Sequence, residues 1–166
     1  IYLVVKSIIS YCKDSFHICL VDDKSYKRLM PDWRYDPKVT PEPVMEHARN
    51  LAIIKLLRVY GGMTVPPSFL CLRNLDELFA QSISSKSNMF VCEERNRTSL
   101  EGTDYVTGIS IMGCTANSES MRELETFYEQ AIVNDYTRDI DLSDKLGVMC
   151  NNLIRIGKVT RVNAEL

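Results

Sequence analysis

Apolar and polar residues follow one another along the chain in short blocks, and the spacing within each block predicts an element. Residues 4–12 carry apolar side chains at helical spacing, whereas residues 16–21 form a short apolar run typical of a buried strand. Residues 43–60 are apolar over more than half of a helical circumference, and Gly61 follows as a common helix stop. We therefore expect a long helix at the centre of the domain.

The remaining blocks extend this alternation to the end of the chain. Further strands are predicted at 63–65, 69–72, 88–92, 106–112 and 158–162. Further helices are predicted at 24–30, 118–133 and 144–153, and Ser120 with Glu123 has the spacing of a capping box. Alternating strands and helices predict an α/β fold, and no linker divides residues 1–166, so we expect a single domain.

Composition narrows the classes of function. The chain has 166 residues, of which 45% are hydrophobic and 25% charged, and its formal net charge is −2. A chain of this length can bury roughly 70% of its unfolded surface. The weak negative charge argues against a nucleic-acid partner, and charges interrupt every apolar stretch well before the ~20 residues that a membrane span needs. Because the apolar pattern already begins at Ile1, we expect a fold that is incomplete at its amino end.

The six cysteines lie at long, irregular intervals within apolar runs and form no CxxC pair. This pattern predicts reduced thiols that pack in a core, and it favours a reducing location, the cytoplasm or a virion. A disulfide framework or a structural zinc site is the alternative, but zinc sites usually show close ligand pairs. The sequon at 96–98 is then a match by pattern only.

The segment from Glu46 to Leu78 resembles the sugar-binding region of DxD-containing glycosyltransferases, including the capsular-polysaccharide type. It has their central helix, the turn Tyr60-Gly61-Gly62, a short strand, and the run from Cys71 to Asp76. The resemblance extends outward in order to residues 16–23 and 108–124. It implies a GT-A-like (Rossmann-like) fold, in which helices flank a mixed sheet.

The acidic motif of that family is replaced in this chain. In the family, paired acids two residues apart hold Mn²⁺ or Mg²⁺ against the diphosphate of a nucleotide sugar. The resemblance places those positions at Pro66 and Ser68, which supply no carboxylate. It also places a family Asp at Asn50 and a family Arg at Ile53. We therefore expect no metal site, and Mn²⁺ or Mg²⁺ would be needed only if the chain were an active enzyme.

Four residues are candidates for binding a nucleotide-sugar donor if the site is retained: Gly61, Gly62, Asp22 and Asp23. The glycines permit close approach of a phosphate, but a helix stop explains them equally. The aspartates follow an apolar run, where ligands bind in open α/β sheets, but they also suit a solvated loop that opens a helix. No catalytic residue can be assigned.

Other residues have both a functional and a structural interpretation. Cationic side chains can stabilise a diphosphate without metal, and aromatic side chains in the proline-rich connector can stack on a base or pin the connector to the domain. Surface and packing roles are favoured for these residues, as they are for the two histidines. The residues are Arg73, Arg95, Arg97, Trp33, Tyr35, His17 and His47.

Three functions remain open. The scaffold positions of the family are kept while its charged site positions are neutral or apolar, which favours a non-catalytic binding or assembly module. The resemblance includes glycosyltransferase-like sequences of large DNA viruses, so we expect a virus-encoded protein whose partners are other virion proteins, a nucleotide sugar or a glycan. The alternatives are an active glycosyltransferase with an atypical or metal-independent donor site, and a minor structural component of the capsid.

Overall fold

The computed structural model describes residues 1–83, 87–95, 106–134 and 139–163. Within these ranges the chain forms six helices and four strands. The helices are α1 (Tyr2–Cys12), α2 (Asp23–Leu29), α3 (Glu42–Tyr60), α4 (Asp76–Ser82), α5 (Glu119–Val133) and α6 (Asp139–Arg155). The strands are β1 (Gly62–Thr64), β2 (Met89–Arg95), β3 (Val106–Cys114) and β4 (Thr160–Val162). The α/β class is therefore confirmed.

The four strands form one open, mixed sheet in the order β1-β3-β2-β4. β3 pairs antiparallel with both β1 and β2, whereas β2 and β4 are parallel. Gly113 lies opposite Met63 on one side and Phe90 on the other. A Cβ atom at Gly113 would lie 2.5 Å from the ring of Phe90, so this register requires glycine.

Helices cover both faces of the sheet. Met89 and Val91 of β2 point to one face, where they pack in the main core with α3, α5 and α6. Because side chains alternate along a strand, Phe90 points to the other face, and its ring lies 6.1 Å from that of Phe79 in α4. A mixed sheet flanked by helices was predicted, and the structure has this arrangement.

The central helix α3 agrees with the sequence prediction. Between Met45 and Arg58 only Glu46 is exposed, because the sheet, α2 and α5 contact α3 on different sides. Salt bridges join its carboxyl end to α5. Glu125 is 9% exposed and forms ion pairs with Arg58 and, at 3.3 Å, with Lys55. Lys55 also reaches Glu129 at 2.5 Å. α3 is therefore fixed on both an apolar and a charged side.

Two predicted strands are wrong. Residues 16–21 and 69–72 have no regular secondary structure, and neither segment pairs with a strand among the described residues. Their aromatic side chains pack instead in a small cluster between α1 and α4, where Phe16 and Phe69 surround Cys12 and Cys71. The Cys71 N–H donates to the Ser7 hydroxyl at 3.0 Å and not to a neighbouring strand. Apolar runs at these positions therefore reflect packing on helices.

Three smaller predictions also needed correction. The cap of α5 is Ser118, whose hydroxyl accepts from the Met121 N–H at 3.3 Å, so the box predicted at Ser120 and Glu123 is two residues late. α6 begins at Asp139, five residues before its predicted start, because aspartates alternate there with Ile140 and Leu142 and show no helical spacing. α4 was not predicted at all, since it has only seven residues and no side-chain cap.

Candidate functional site

The turn after β1 occupies the place where the resemblance puts the paired acids. The Phe69 N–H donates to the Pro66 carbonyl at 2.9 Å, which closes a tight turn around Pro67 and Ser68. Pro66 is half-buried, Ser68 is exposed, and Phe69 packs towards Cys71. This turn therefore presents one hydroxyl and no carboxylate to solvent.

Gly61 and Gly62 join α3 to β1 in two different ways. Gly61 is the C-cap of α3, with its N–H donating to the Leu57 carbonyl at 2.8 Å and a φ of 72°. A Cβ atom there would lie 2.8 Å from the backbone nitrogen of Ala116. Gly62 has a φ of 99° but nothing within 4 Å of a built Cβ atom. Gly61 thus permits a close backbone contact, whereas the space beside Gly62 is open.

Asp22 acts as the N-cap of α2. Its carboxylate accepts from the Ser25 N–H at 2.8 Å and from the Ser25 hydroxyl at 2.5 Å. These hydrogen bonds lower the pKa of Asp22 because they favour the charged carboxylate, and the bond from the Ser25 hydroxyl has the largest effect. The side chain is exposed, but its Oδ1 oxygen is already engaged with the first turn of the helix.

Asp23 is held by an arginine of α3. Both oxygens of Asp23 accept from Arg49, at 3.0 Å from Nε and 3.0 Å from Nη2, while the Arg49 Nη1 donates to Glu42 at 3.0 Å. The hydrogen bond with Asp23 is the main reason that the pKa of Arg49 is raised. A bidentate pair of this kind fixes the orientation of both side chains. Asp23 therefore fastens α2 to α3.

Asn50, at the position of a family aspartate, contacts a buried side chain of the protein. Its side-chain amide lies beside the phenol of Tyr128 in α5, and Tyr128 is only 2% exposed. Burial is the main cause that raises the pKa of Tyr128 and Cys150 is the next; the Asn50 amide opposes them, and the carboxylates of Glu94 and Glu46 raise the pKa further. A carboxylate at position 50 would add a third negative charge beside the buried phenol.

Ile53, at the position of a family arginine, lies between two apolar clusters. It packs against the main core and against the α2 cluster, which consists of Tyr26, Trp33, Met45, Ala48 and Ala52. An arginine there would have to place its guanidinium in this apolar boundary, which is costly without a partner. The position therefore contributes packing in this chain.

The connector between α2 and α3 is pinned by aromatic side chains. The ring centroid of Trp33 lies 5.5 Å from that of Tyr26 and 5.0 Å from that of Tyr35. Trp33 is 8% exposed, and its indole N–H has no hydrogen-bond partner among the described residues. This packing corresponds to the structural interpretation of Trp33 and Tyr35, in which the connector is anchored to the domain.

The predicted donor residues do not form one constellation. Asp23 lies beside Arg49, one residue from Asn50, so these positions occupy the same turn of α3. Gly61 follows Asn50 by eleven residues, which is about 16 Å along a helix. Sequence reasoning missed Arg49, and only its three-dimensional contact with Asp23, 26 residues away, identifies it.

The other candidates lie apart from this region or outside the description. Arg73 and His17 are exposed, whereas His47 is buried in α3. Arg95 ends β2, and nothing is described of its side chain; Arg97 and the sequon at 96–98 lie outside the described residues. All six cysteines are free thiols, and four of them are buried, but the predicted core packing is wrong for Cys19, which is exposed.

Within the described ranges, no three His, Cys, Asp or Glu side chains come together in a way that would hold a metal ion. An open, mostly apolar groove between α5 and α6 has a volume of ≈ 580 Å³ and contains none of the predicted donor residues. Residues such as Phe127, Val148 and Ile156 line it.

Comparison of the chain with protein-family models, with curated proteins and with solved structures found no match. None of the helices described here combines the length and the apolar character that crossing a membrane requires.

Proposed function

We propose that this chain is a glycosyltransferase-like domain that does not transfer sugar and serves as a binding or assembly module. The observation that carries the proposal is the internal use of the donor-site residues. Asp22 caps α2 through its Oδ1 oxygen, Asp23 binds Arg49 through both oxygens, and Asn50 lies beside Tyr128. The engaged oxygens of Asp22 and Asp23 would have to give up these contacts before they could bind a nucleotide.

The order of elements supports the glycosyltransferase-like part of the proposal. A long helix, a glycine stop, a short strand and a tight turn follow one another from α3 to Phe69. The glycosyltransferases that the chain resembles have this order of elements, with the acidic pair at the turn. Since Pro66 and Ser68 stand there, the chain lacks the carboxylates that would hold a divalent cation against a diphosphate.

Exposed apolar side chains support the assembly part. In α1, Tyr2 is 74% and Leu3 is 71% exposed, and in the adjoining segment 69–73 Leu72 is 72% exposed. Exposed large apolar side chains are common at protein contacts. Together with the resemblance to viral sequences, their exposure favours other virion proteins as partners.

Calorimetric titration of the purified protein with UDP, GDP and their sugars, with and without Mn²⁺, tests the proposal. We expect no heat of binding from any of them. Micromolar binding that Mn²⁺ strengthens would contradict the proposal and favour an active transferase. Binding without metal would also contradict it, and would favour a donor site built on cationic side chains.

A further inference from the structure

Two buried thiols meet between α1 and the segment 69–73. The sulfur atoms of Cys12 and Cys71 lie 3.7 Å apart, and the two residues are 2% and 1% exposed. They are 59 residues apart in the sequence, so the fold alone brings them together. A disulfide bond needs its sulfur atoms about 2 Å apart, so the thiols would have to approach by about 1.7 Å.

Neighbouring hydrogen bonds hold the pair in place. The Cys71 thiol donates to the Arg73 carbonyl at 3.0 Å, so the Cys12 thiol is left to donate to the Cys71 sulfur. On one side of the pair Ser7 accepts from the Cys71 N–H at 3.0 Å, and on the other the Asn74 amide donates to Ser15 at 2.8 Å. α1 and the segment are therefore aligned before any reaction.

We propose that Cys12 and Cys71 form a redox modification site, which a low-molecular-weight disulfide such as glutathione disulfide converts to an intramolecular disulfide. One thiolate attacks the reagent, forms a mixed disulfide and releases one reagent thiol. The second thiolate then attacks the protein sulfur of the mixed disulfide and releases the second reagent thiol. Both protons of the protein thiols end on the released thiols, and the two protein sulfurs are oxidised while the reagent is reduced. This inference does not depend on the proposed function.

The reaction requires a local opening of α1. Burial is the main cause that raises the pKa of Cys71, so little thiolate is present while the pair is closed. The opposite side of α1 is solvated, and helix ends of this kind open more readily than a core. Cys19 is exposed and will react first, but it has no described thiol partner.

The experiment uses the complete chain with the Cys19→Ser substitution, which removes the exposed thiol. The protein is incubated with glutathione disulfide without denaturant, and its intact mass and tryptic peptides are measured. Trypsin cuts after Lys6, Lys13, Arg58 and Arg73, so we expect a loss of two hydrogens and a linked pair of the peptides 7–13 and 59–73. Dithiothreitol should reverse both.

Thermal unfolding provides the second measurement. A disulfide that closes a loop of this length in native geometry should raise the melting midpoint by on the order of 10 °C. Cys71→Ala should abolish the linked peptides. The matched control is Cys114→Ala, which removes another buried thiol, one that donates to the Leu57 carbonyl at 3.2 Å, and should leave the linkage unchanged.

Two results would overturn the inference. One is the absence of the 7–13/59–73 linkage in folded protein after prolonged incubation. The other is a linkage that lowers the melting midpoint, since this would show that the disulfide needs a distorted fold. Because the peptide map is made without changing Cys12 or Cys71, it decides the question even if the Cys71→Ala variant does not fold.

Discussion

Substituting alanine for each glycine of the pair between α3 and β1 should have unequal effects. Both residues have positive φ, 72° at Gly61 and 99° at Gly62, which costs a side-chain-bearing residue about 1–2 kcal/mol. At Gly61 the ψ of −170° lies in a region that is essentially restricted to glycine, where the cost is about 1–3 kcal/mol. Alanine also lowers the conformational entropy of the unfolded chain, which stabilises the folded state by roughly 0.5 kcal/mol. Gly62→Ala meets no neighbour, so its net cost should be about 1 kcal/mol.

Gly61→Ala carries an additional cost from its neighbours. Its Cβ atom would lie 2.8 Å from the Ala116 nitrogen and 3.3 Å from the Cys114 carbonyl oxygen, and both are backbone atoms that cannot rotate away. Overpacking of this kind adds about 1–3 kcal/mol, so the total should be about 3 kcal/mol. For a chain of this size the melting midpoint should fall by about 6–12 °C, against about 2–4 °C for Gly62→Ala.

Urea unfolding measures both variants. Trp33 is the single tryptophan and is buried, so its fluorescence reports the transition directly. Equal costs at the two glycines, or a larger cost at Gly62, would refute the assignment of Gly61 to a close backbone contact. A large cost at Gly62 would also show that the open space beside it is filled in solution.

Three further predictions concern side chains whose contacts stabilise the helices. Glu125→Ala should destabilise the fold by about 2–3 kcal/mol in urea unfolding, because it leaves two cations without their buried partner. Glu129→Ala, at a side chain that is 42% exposed, should cost under about 1 kcal/mol. Equal costs would contradict the buried pairing. The folded state lowers the pKa of Asp22, so its stabilising effect is complete above the unfolded value of 3.8 and is lost as pH falls through the folded value. Asp22→Asn, which can still cap the helix, should reduce the loss of stability at acid pH. An unchanged loss would count against the cap. Asn50→Asp should cost about 1 kcal/mol or more at pH 7, because it removes an amide donor beside the Tyr128 phenol and places a partly buried carboxylate one helical turn from Glu46; a neutral or stabilising effect would contradict this reasoning.

The sequence predicted α3 and α5 because both carry apolar residues over several turns. In α5 these residues lie on one face, whereas in α3 they occupy most of the circumference, and both patterns are visible without knowledge of what packs against them. The short apolar runs around Phe16 and Phe69 carry no such information, since a run of four to six apolar residues suits a strand or a packed loop equally. Only the contacts with α1 and α4 distinguish the two.

The candidate site was predictable in its chemistry but not in its partners. The absence of carboxylates at positions 66 and 68 is visible in the sequence, and so are the aspartates at 22 and 23. Three contacts join residues that are far apart in the chain: Arg49 with Asp23, Asn50 with Tyr128, and Cys12 with Cys71. No local pattern encodes such contacts, because they depend on how α2, α3 and α5 pack and on how α1 packs on the segment 69–73.

The central claim is that a glycosyltransferase-like scaffold remains while its donor site is lost. The most direct measurement is calorimetric titration with Mn²⁺ and UDP of the wild-type protein beside Pro66→Asp/Ser68→Asp, which restores the acidic pair. Pro67→Asp/Leu70→Asp is the matched control, since it adds the same charge at exposed positions of the same turn. The account predicts that neither the wild type nor the control binds Mn²⁺ or UDP and that the restored variant binds Mn²⁺, while UDP still binds poorly because Asp23 keeps its internal contact with Arg49. Binding by the wild type, or equal binding by the restored and control variants, would contradict it.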